Sequence, residues 1–208
     1  MNPANATPVN YSSDVSCQTV GKGVSLQHFV DSGIPLYKVA FKAGRSELCY
    51  LSDKDAWIRL PKMGDLVIIE ADRGRDLGTI VADRVNASEL CGKEEIMSPP
   101  ADPLSVTDTG RINPKDVYVK QMFRLAESAE IASLATKSQD EAKALLVCQA
   151  KIKQKGLCME VLNAEYQWDR RKLTFYFVAD QRIDFRELVR ELFKIYKTRI
   201  WMCATKPV

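Results

Sequence analysis

Lys172-Leu-Thr-Phe-Tyr-Phe-Val-Ala-Asp-Gln-Arg-Ile-Asp-Phe-Arg-Glu-Leu-Val-Arg-Glu-Leu-Phe-Lys-Ile-Tyr-Lys-Thr-Arg-Ile-Trp201 decides the fold, because it holds a strand, a polar turn, an amphipathic helix and a second strand with almost no slack. Leu173, Phe175 and Phe177 fall on one face of the first strand and Thr174, Tyr176 and Val178 on the other. Both faces therefore call for a cover, and the Tyr176 hydroxyl needs a partner. Asp184 stands where an N-cap belongs, and Glu187 three residues on has capping-box spacing. Phe185, Leu188, Val189, Leu192, Phe193 and Tyr196 recur at the helical period as a stripe to be buried. Arg186, Arg190, Lys194 and Lys197 project from the opposite face. Two readings compete for these cations: a phosphate-tracking stripe, or a solvated face neutralised by Glu187 and Glu191.

Upstream, Leu157 to Leu162 alternates as a strand, and Asp169-Arg170-Arg171 makes the turn into Leu173. Asn113-Pro114 reads as N-cap and first helical residue, with Met122, Leu125, Ala126 and Ala129 as a helical stripe. After a break near Thr136-Lys137, Ser138-Gln-Asp-Glu141 has capping-box spacing for a second helix through Leu145, Cys148 and Ile152, stopping at Gly156. The expectation for residues 113–205 is a helical hairpin followed by a β-β-α-β layer. Residues 33–85 carry short strands at Leu36 to Phe41, Leu48 to Leu51, Leu66 to Glu70 and Gly78 to Asp83, parted by turn signals, which predicts a small bent sheet or SH3-like barrel. The class is therefore α+β. Residues 86–112, with Pro99, Pro100 and Pro103, read as a connector, and residues 1–32 as an extended or disordered tail.

Composition narrows the function. Thirty Lys+Arg against 27 Asp+Glu give a net charge of only +3, so any nucleic-acid surface must arise by clustering. The sole histidine, His28, lies in that tail, so neither a His-based triad nor a zincin motif is expected. The six cysteines, Cys17, Cys49, Cys91, Cys148, Cys158 and Cys203, contain no C-x-x-C pair, so neither a zinc knuckle nor a disulfide framework is indicated, and no cofactor is expected. No stretch approaches the roughly 20 apolar residues of a membrane helix, and no leader is recognisable, so a cytosolic or nuclear home is expected, the cytoplasmic one being favoured. The segment Glu70-Ala-Asp-Arg-Gly-Arg-Asp-Leu-Gly78 lacks the Gly-Lys-Ser/Thr ending of a P-loop. Its Arg73 and Arg75 could fork onto phosphate, or be neutralised by Asp72 and Asp76.

The chain resembles the polymerase-suppressor C-terminal family (PSP-one) of fungal proteins and the bacterial RicT (YaaT) proteins. The residues that carry this are Gly64-Asp65-Leu66-Val67, Glu70, Gly74, Gly78, Lys151-Ile152, Leu157-Cys158-Met159, Glu165-Tyr166-Gln167-Trp168-Asp169, Lys172, Phe175-Tyr176-Phe177, Ala179-Asp180, Arg182, Asp184 to Arg190 and Arg199-Ile200. The ending Tyr196 to Trp201 looks like the fungal branch. The resemblance implies RNA metabolism: scaffolding beside an RNA-processing nuclease in bacteria, and messenger-RNA granules such as P-bodies in fungi. It supplies no catalytic residue. The cysteine-rich tail of bacterial relatives has no counterpart after Trp201, so their iron–sulfur chemistry is not expected, and the chain is expected to be a fragment of a longer protein.

Three functions follow as expectations. The first is a non-catalytic RNA-binding or adaptor domain in messenger-RNA decay or translation control, using Arg73, Arg75, Arg170, Arg171, Lys172, Arg182, Arg186 and Arg190, with Tyr166 and Trp168 to stack a base. The second is a metal-dependent phosphodiesterase using Asp169, Asp180, Asp184, Glu165 and Glu187. The third is a scaffold that pairs with itself or another protein through a sheet edge at Arg199 to Thr205.

Overall fold

The computed structural model describes residues 22–51, 60–90 and 114–205. The first sheet is built from β1 (Val24–Ser25), β2 (Leu36–Ala40), β3 (Ser46–Leu51), β4 (Leu66–Glu70), β5 (Arg75–Val85) and β6 (Tyr118–Leu125). Its order is β1-β6-β3-β2-β5-β4, and β6 also pairs with β4, so β2 to β6 close into a five-stranded barrel-like ring. Tyr37, Val39, Cys49, Leu51, Val67, Ile69, Ile80 and Met122 fill the ring. Strand alternation puts these side chains inward, and closure leaves few unpaired edges.

The second unit is a three-stranded sheet, β7 (Glu160–Tyr166), β8 (Lys172–Val178) and β9 (Arg199–Ala204), in that order, with β7–β8 antiparallel and β8–β9 parallel. The helices α3 (Ser128–Lys155) and α4 (Arg186–Tyr196) share one core with Leu173, Phe175 and Phe177 on the inner face of β8. Two short helices, α1 (Gln27–Val30) and α2 (Ala87–Leu90), close one end of the ring over Leu26, Phe29, Leu36 and Val119. The α+β class and the barrel-like first sheet are as expected. No helix among the described residues is long and apolar enough to cross a membrane.

The helical hairpin is replaced by something else. Residues 118–125 are strand β6, and one uninterrupted 28-residue helix, α3, follows. Met122 and Leu125 fit a helical stripe equally well, but the ring needs a strand to join β3 to β4, and Val119 and Met122 are fully buried there. The capping box lies at Glu127 and Glu130. Thr136-Lys137 contains no breaker, and Glu141 is buried in an ion pair instead of capping. Gly156 does end the helix, in the left-handed conformation at φ 64°.

Three further expectations change. The part of the tail that is described, from residue 22, is structured: Leu26 and Phe29 are buried, and β1 pairs with β6. Asp184 accepts the N–H of Arg186 at 3.0 Å, but Glu187 turns to Lys155 and does not complete a box. Phe193 is half exposed, outside the buried stripe that Leu188 and Leu192 occupy. Most of the expected connector at 86–112 lies outside the described residues.

Candidate nucleic-acid interface

The two sheets meet through charge. The tip of the β2–β3 hairpin inserts Arg45 between Asp76 of β5 and Glu165 of β7, at 2.7 and 3.0 Å. The Tyr176 hydroxyl donates to Glu165 at 2.6 Å, which satisfies the group that the alternation left in need. Burial opposes the Arg45 charge, but Glu165 and Asp76 outweigh it and hold the guanidinium firmly protonated. Burial pushes the Asp76 carboxyl up, against the pull of Arg45. Lys42, from the same tip, reaches Glu141 of α3 and the Ala164 carbonyl, both at 3.0 Å.

Beside this joint, two hairpin turns dock. Asp169, in the β7–β8 turn, accepts the main-chain N–H of Arg75 at 2.9 Å, that of Arg171 at 3.1 Å and the Gln167 amide at 2.7 Å. Gly74, at φ +78° in the β4–β5 turn, gives the carboxylate room, since a Cβ there would collide with Asp169 Oδ2 and stand 3.0 Å from Arg171 Cδ. Docking sets the turn that carries Arg73 against the turn that carries Arg171, although 98 positions separate the two residues in sequence.

Lys172 begins β8 on its outer face, opposite Arg199 of β9 in the parallel register, with Trp201 two residues along. Its ammonium lies 3.7 Å from Asp72 and 5.6 Å from the Trp201 ring centre, over which the Arg199 guanidinium also stands, at 4.9 Å. Lys120 of β6, nearly buried, holds the other Asp72 oxygen at 3.2 Å. Burial works against the Asp72 charge, yet Lys120 and Lys172 together keep its carboxyl below the usual range. Glu47, also near these cations, is pushed up by burial.

The ten residues expected at the site divide. Arg73, Arg171 and Lys172 lie on or next to the two docked turns, Lys172 reaching across to Asp72. Arg75 turns over the Phe123 ring, and Arg170 lies over Tyr166 and pairs with Asp140 of α3 at 2.9 Å, on the helix-covered side of the sheet. Arg182, Arg186 and Arg190 stand towards the far end of β8, where Arg186 pairs with Asp184. Glu187 and Glu191 do not neutralise the helix stripe; they bind Lys155 and Lys151 of α3. Tyr166 is buried, edge-on to Tyr196 and under Arg170, so it offers no open stacking face, while Trp168 is only partly buried and its indole N–H donates to Ser133.

Lys120, Arg199 and Trp201 were missed. The last two were within reach, because a strand-helix-strand crossover makes β8 and β9 parallel neighbours and starts both with a cation at one end. The carboxylates Asp169, Asp180, Asp184, Glu165 and Glu187 are spread over both ends of β8, and no three His, Cys, Asp or Glu side chains among the described residues could hold a metal ion.

Residues 120–205 match the PSP1 C-terminal conserved region. An uncharacterized protein of Schizosaccharomyces pombe is 50% identical over 174 residues, covering 81% of this chain and 23% of that protein. Protein PSP1 of Saccharomyces cerevisiae is 35% identical, covering 82% of this chain and 27% of its own length, and stage 0 sporulation protein YaaT of Bacillus subtilis is 31% identical, covering 64% and 40%. The chain thus spans about a quarter of the fungal relatives and two-fifths of the bacterial one. No solved structure matches it.

Proposed function

The chain belongs to the PSP1 C-terminal family, and from that footing we propose that it is a non-catalytic module that holds RNA on the face made by its two docked hairpins. The supporting observation is the joint itself. Asp169 and Gly74 hold together the turns that carry Arg73 and Arg171, with Lys172 next to them, and β6 and β9 add Lys120 and Arg199. In a chain with a net charge of +3, such clustering supplies the local field that composition does not. The cytoplasmic messenger-RNA setting rests on the family resemblance.

Fluorescence anisotropy with a labelled single-stranded RNA, run from 50 to 200 mM salt, tests the reading. Binding should weaken steeply with salt, and the paired reversal Arg73→Glu with Arg171→Glu should abolish it. Salt-independent binding, or none at micromolar protein in low salt, leaves this face without an RNA role. A second reading, self-pairing, is favoured by β9, whose one strand neighbour among the described residues is β8, which leaves its other edge open to a further strand. Light scattering decides it: a strict monomer at high concentration removes it.

A further inference from the structure

Asp72 occupies an unusual position. Its carboxylate stands at the exposed tip of the β4–β5 hairpin, with 55% of the side chain open to solvent, yet it is gripped by two ammonium groups on strands, one with only 8% of its side chain exposed. Glu47 also stands near the two lysines, so with Arg199 three cations share this corner with two carboxylates, and positive charge is in slight excess. An ammonium group recognises an anionic oxygen as a point charge and accepts a phosphate oxygen as readily as a carboxylate oxygen. The Lys172 ammonium that touches Asp72 also stands over the Trp201 indole, 5.6 Å from its centre, within one nucleotide's span from phosphate to base.

We propose that Lys120, Lys172, Arg199 and Trp201 form a seat for one nucleotide of single-stranded RNA, with Asp72 as a built-in stand-in for the phosphate. A backbone phosphate displaces the Asp72 carboxylate from the two lysines. A base then takes the place of the Lys172 ammonium over the indole, where stacking is tolerant of base identity because every base has a π-face. The Arg199 guanidinium keeps its place over the ring. Asp72 can leave because it belongs to a turn and is half solvated, whereas the lysines and the tryptophan are fixed on strands of two different sheets. The seat rests on the RNA reading above and makes it specific: RNA is drawn to the arginine rim and gripped here.

The test is the anisotropy titration of labelled oligo-uridylate with the intact chain, its folding checked by circular dichroism. Asp72→Asn should tighten binding about three- to tenfold, because the internal competitor is gone and the local charge rises. Trp201→Leu should weaken it about tenfold with the salt slope unchanged, and Trp201→Phe should keep most of the affinity. Lys172→Gln should weaken binding and reduce the salt slope by about one. In a variant with Trp57→Phe and Trp168→Phe, RNA should quench the fluorescence of Trp201. Asp72→Asn that binds equally or more weakly, or Trp201→Leu that binds as wild type, overturns the seat, while sensitivity to Arg73→Glu and Arg171→Glu would still leave the rim in place. Absence of binding by both wild type and Asp72→Asn overturns seat and rim together.

Discussion

Gly74→Ala should loosen the joint between the two sheets, by an amount set by Asp169. A left-handed backbone costs an L-residue about 1–2 kcal/mol relative to glycine, and Gly74 sits at φ +78°. The new Cβ would also run into Asp169 Oδ2 and lie 3.1 Å from its Cγ, so the carboxylate must move. Asp169 is the acceptor for the N–H groups of Arg75 and Arg171 and for the Gln167 amide. Loss of one charge-assisted hydrogen bond costs about 1.5–3 kcal/mol, which brings the single substitution to about 3–5 kcal/mol. In an Asp169→Ala background the obstruction is absent, and Gly74→Ala should cost only the backbone term of about 1–2 kcal/mol. Urea unfolding of the four proteins, at a common m-value, should return a coupling of about 2–3 kcal/mol. Equal costs in the two backgrounds, within about 0.5 kcal/mol, would refute the claim that glycine is there to admit the carboxylate.

Three other outcomes are expected. Arg45→Met leaves Asp76 and Glu165 buried without their counter-charge and should cost about 3–5 kcal/mol near neutral pH; because burial already pushes the Asp76 carboxyl up, its protonation should narrow the gap to wild type as pH falls, and a gap that widens in acid would contradict the arrangement. Hydrogen bonds from Lys155 and Lys151 hold the Glu191 carboxyl down at about 2 from an ordinary 4.5, so its stabilising contribution is complete above 4.5 and is lost as pH falls towards 2. Thermal melts of Glu191→Gln should therefore converge on wild type across that window, and curves that stay parallel would show that the helix-to-helix pair is not linked to folding. Burial pushes the Cys148 thiol up to about 12, and Cys49 is also buried, whereas Cys158 is exposed. Maleimide labelling read by mass spectrometry should modify Cys158 at once and reach Cys49 and Cys148 only at unfolding concentrations of denaturant.

The β8–α4–β9 unit was legible because its periods are unambiguous: a short aromatic strand cannot be a helix of that length, and Leu188 and Leu192 can face only one way. The short strands of the ring were legible from their glycine turns. Tyr118 to Leu125 was not, because its apolar spacing satisfies a helix and its strand partners Val119↔Leu48 and Met122↔Ile69 are long-range. For the site, Arg73, Arg171 and Lys172 were found as a local excess of cations. Their union with Lys120 was hidden behind the misread strand, and Tyr166 was offered as a stacking ring since its neighbours in sequence do not reveal that Tyr196 and Arg170 cover it. Paired charges such as Arg45 with Glu165 lie 120 positions apart and leave no local trace.

Strand β6 has a consequence for how the protein is made. It pairs with β3 in parallel, Leu48 to Val119, and with β4, Val67 to Leu125, so the ring stays open until residue 125 has left the ribosome. Through that interval the edges of β3 and β4, with Cys49, Ile68 and Ile69 on them, are unpaired apolar strands of a nascent chain. Long-range closure of this kind is slow compared with helix formation. The match to the PSP1 C-terminal conserved region, from residue 120, opens inside the strand that seals the ring. A fragment cut there would carry the seal without the vessel, and an upstream fragment the vessel without its seal.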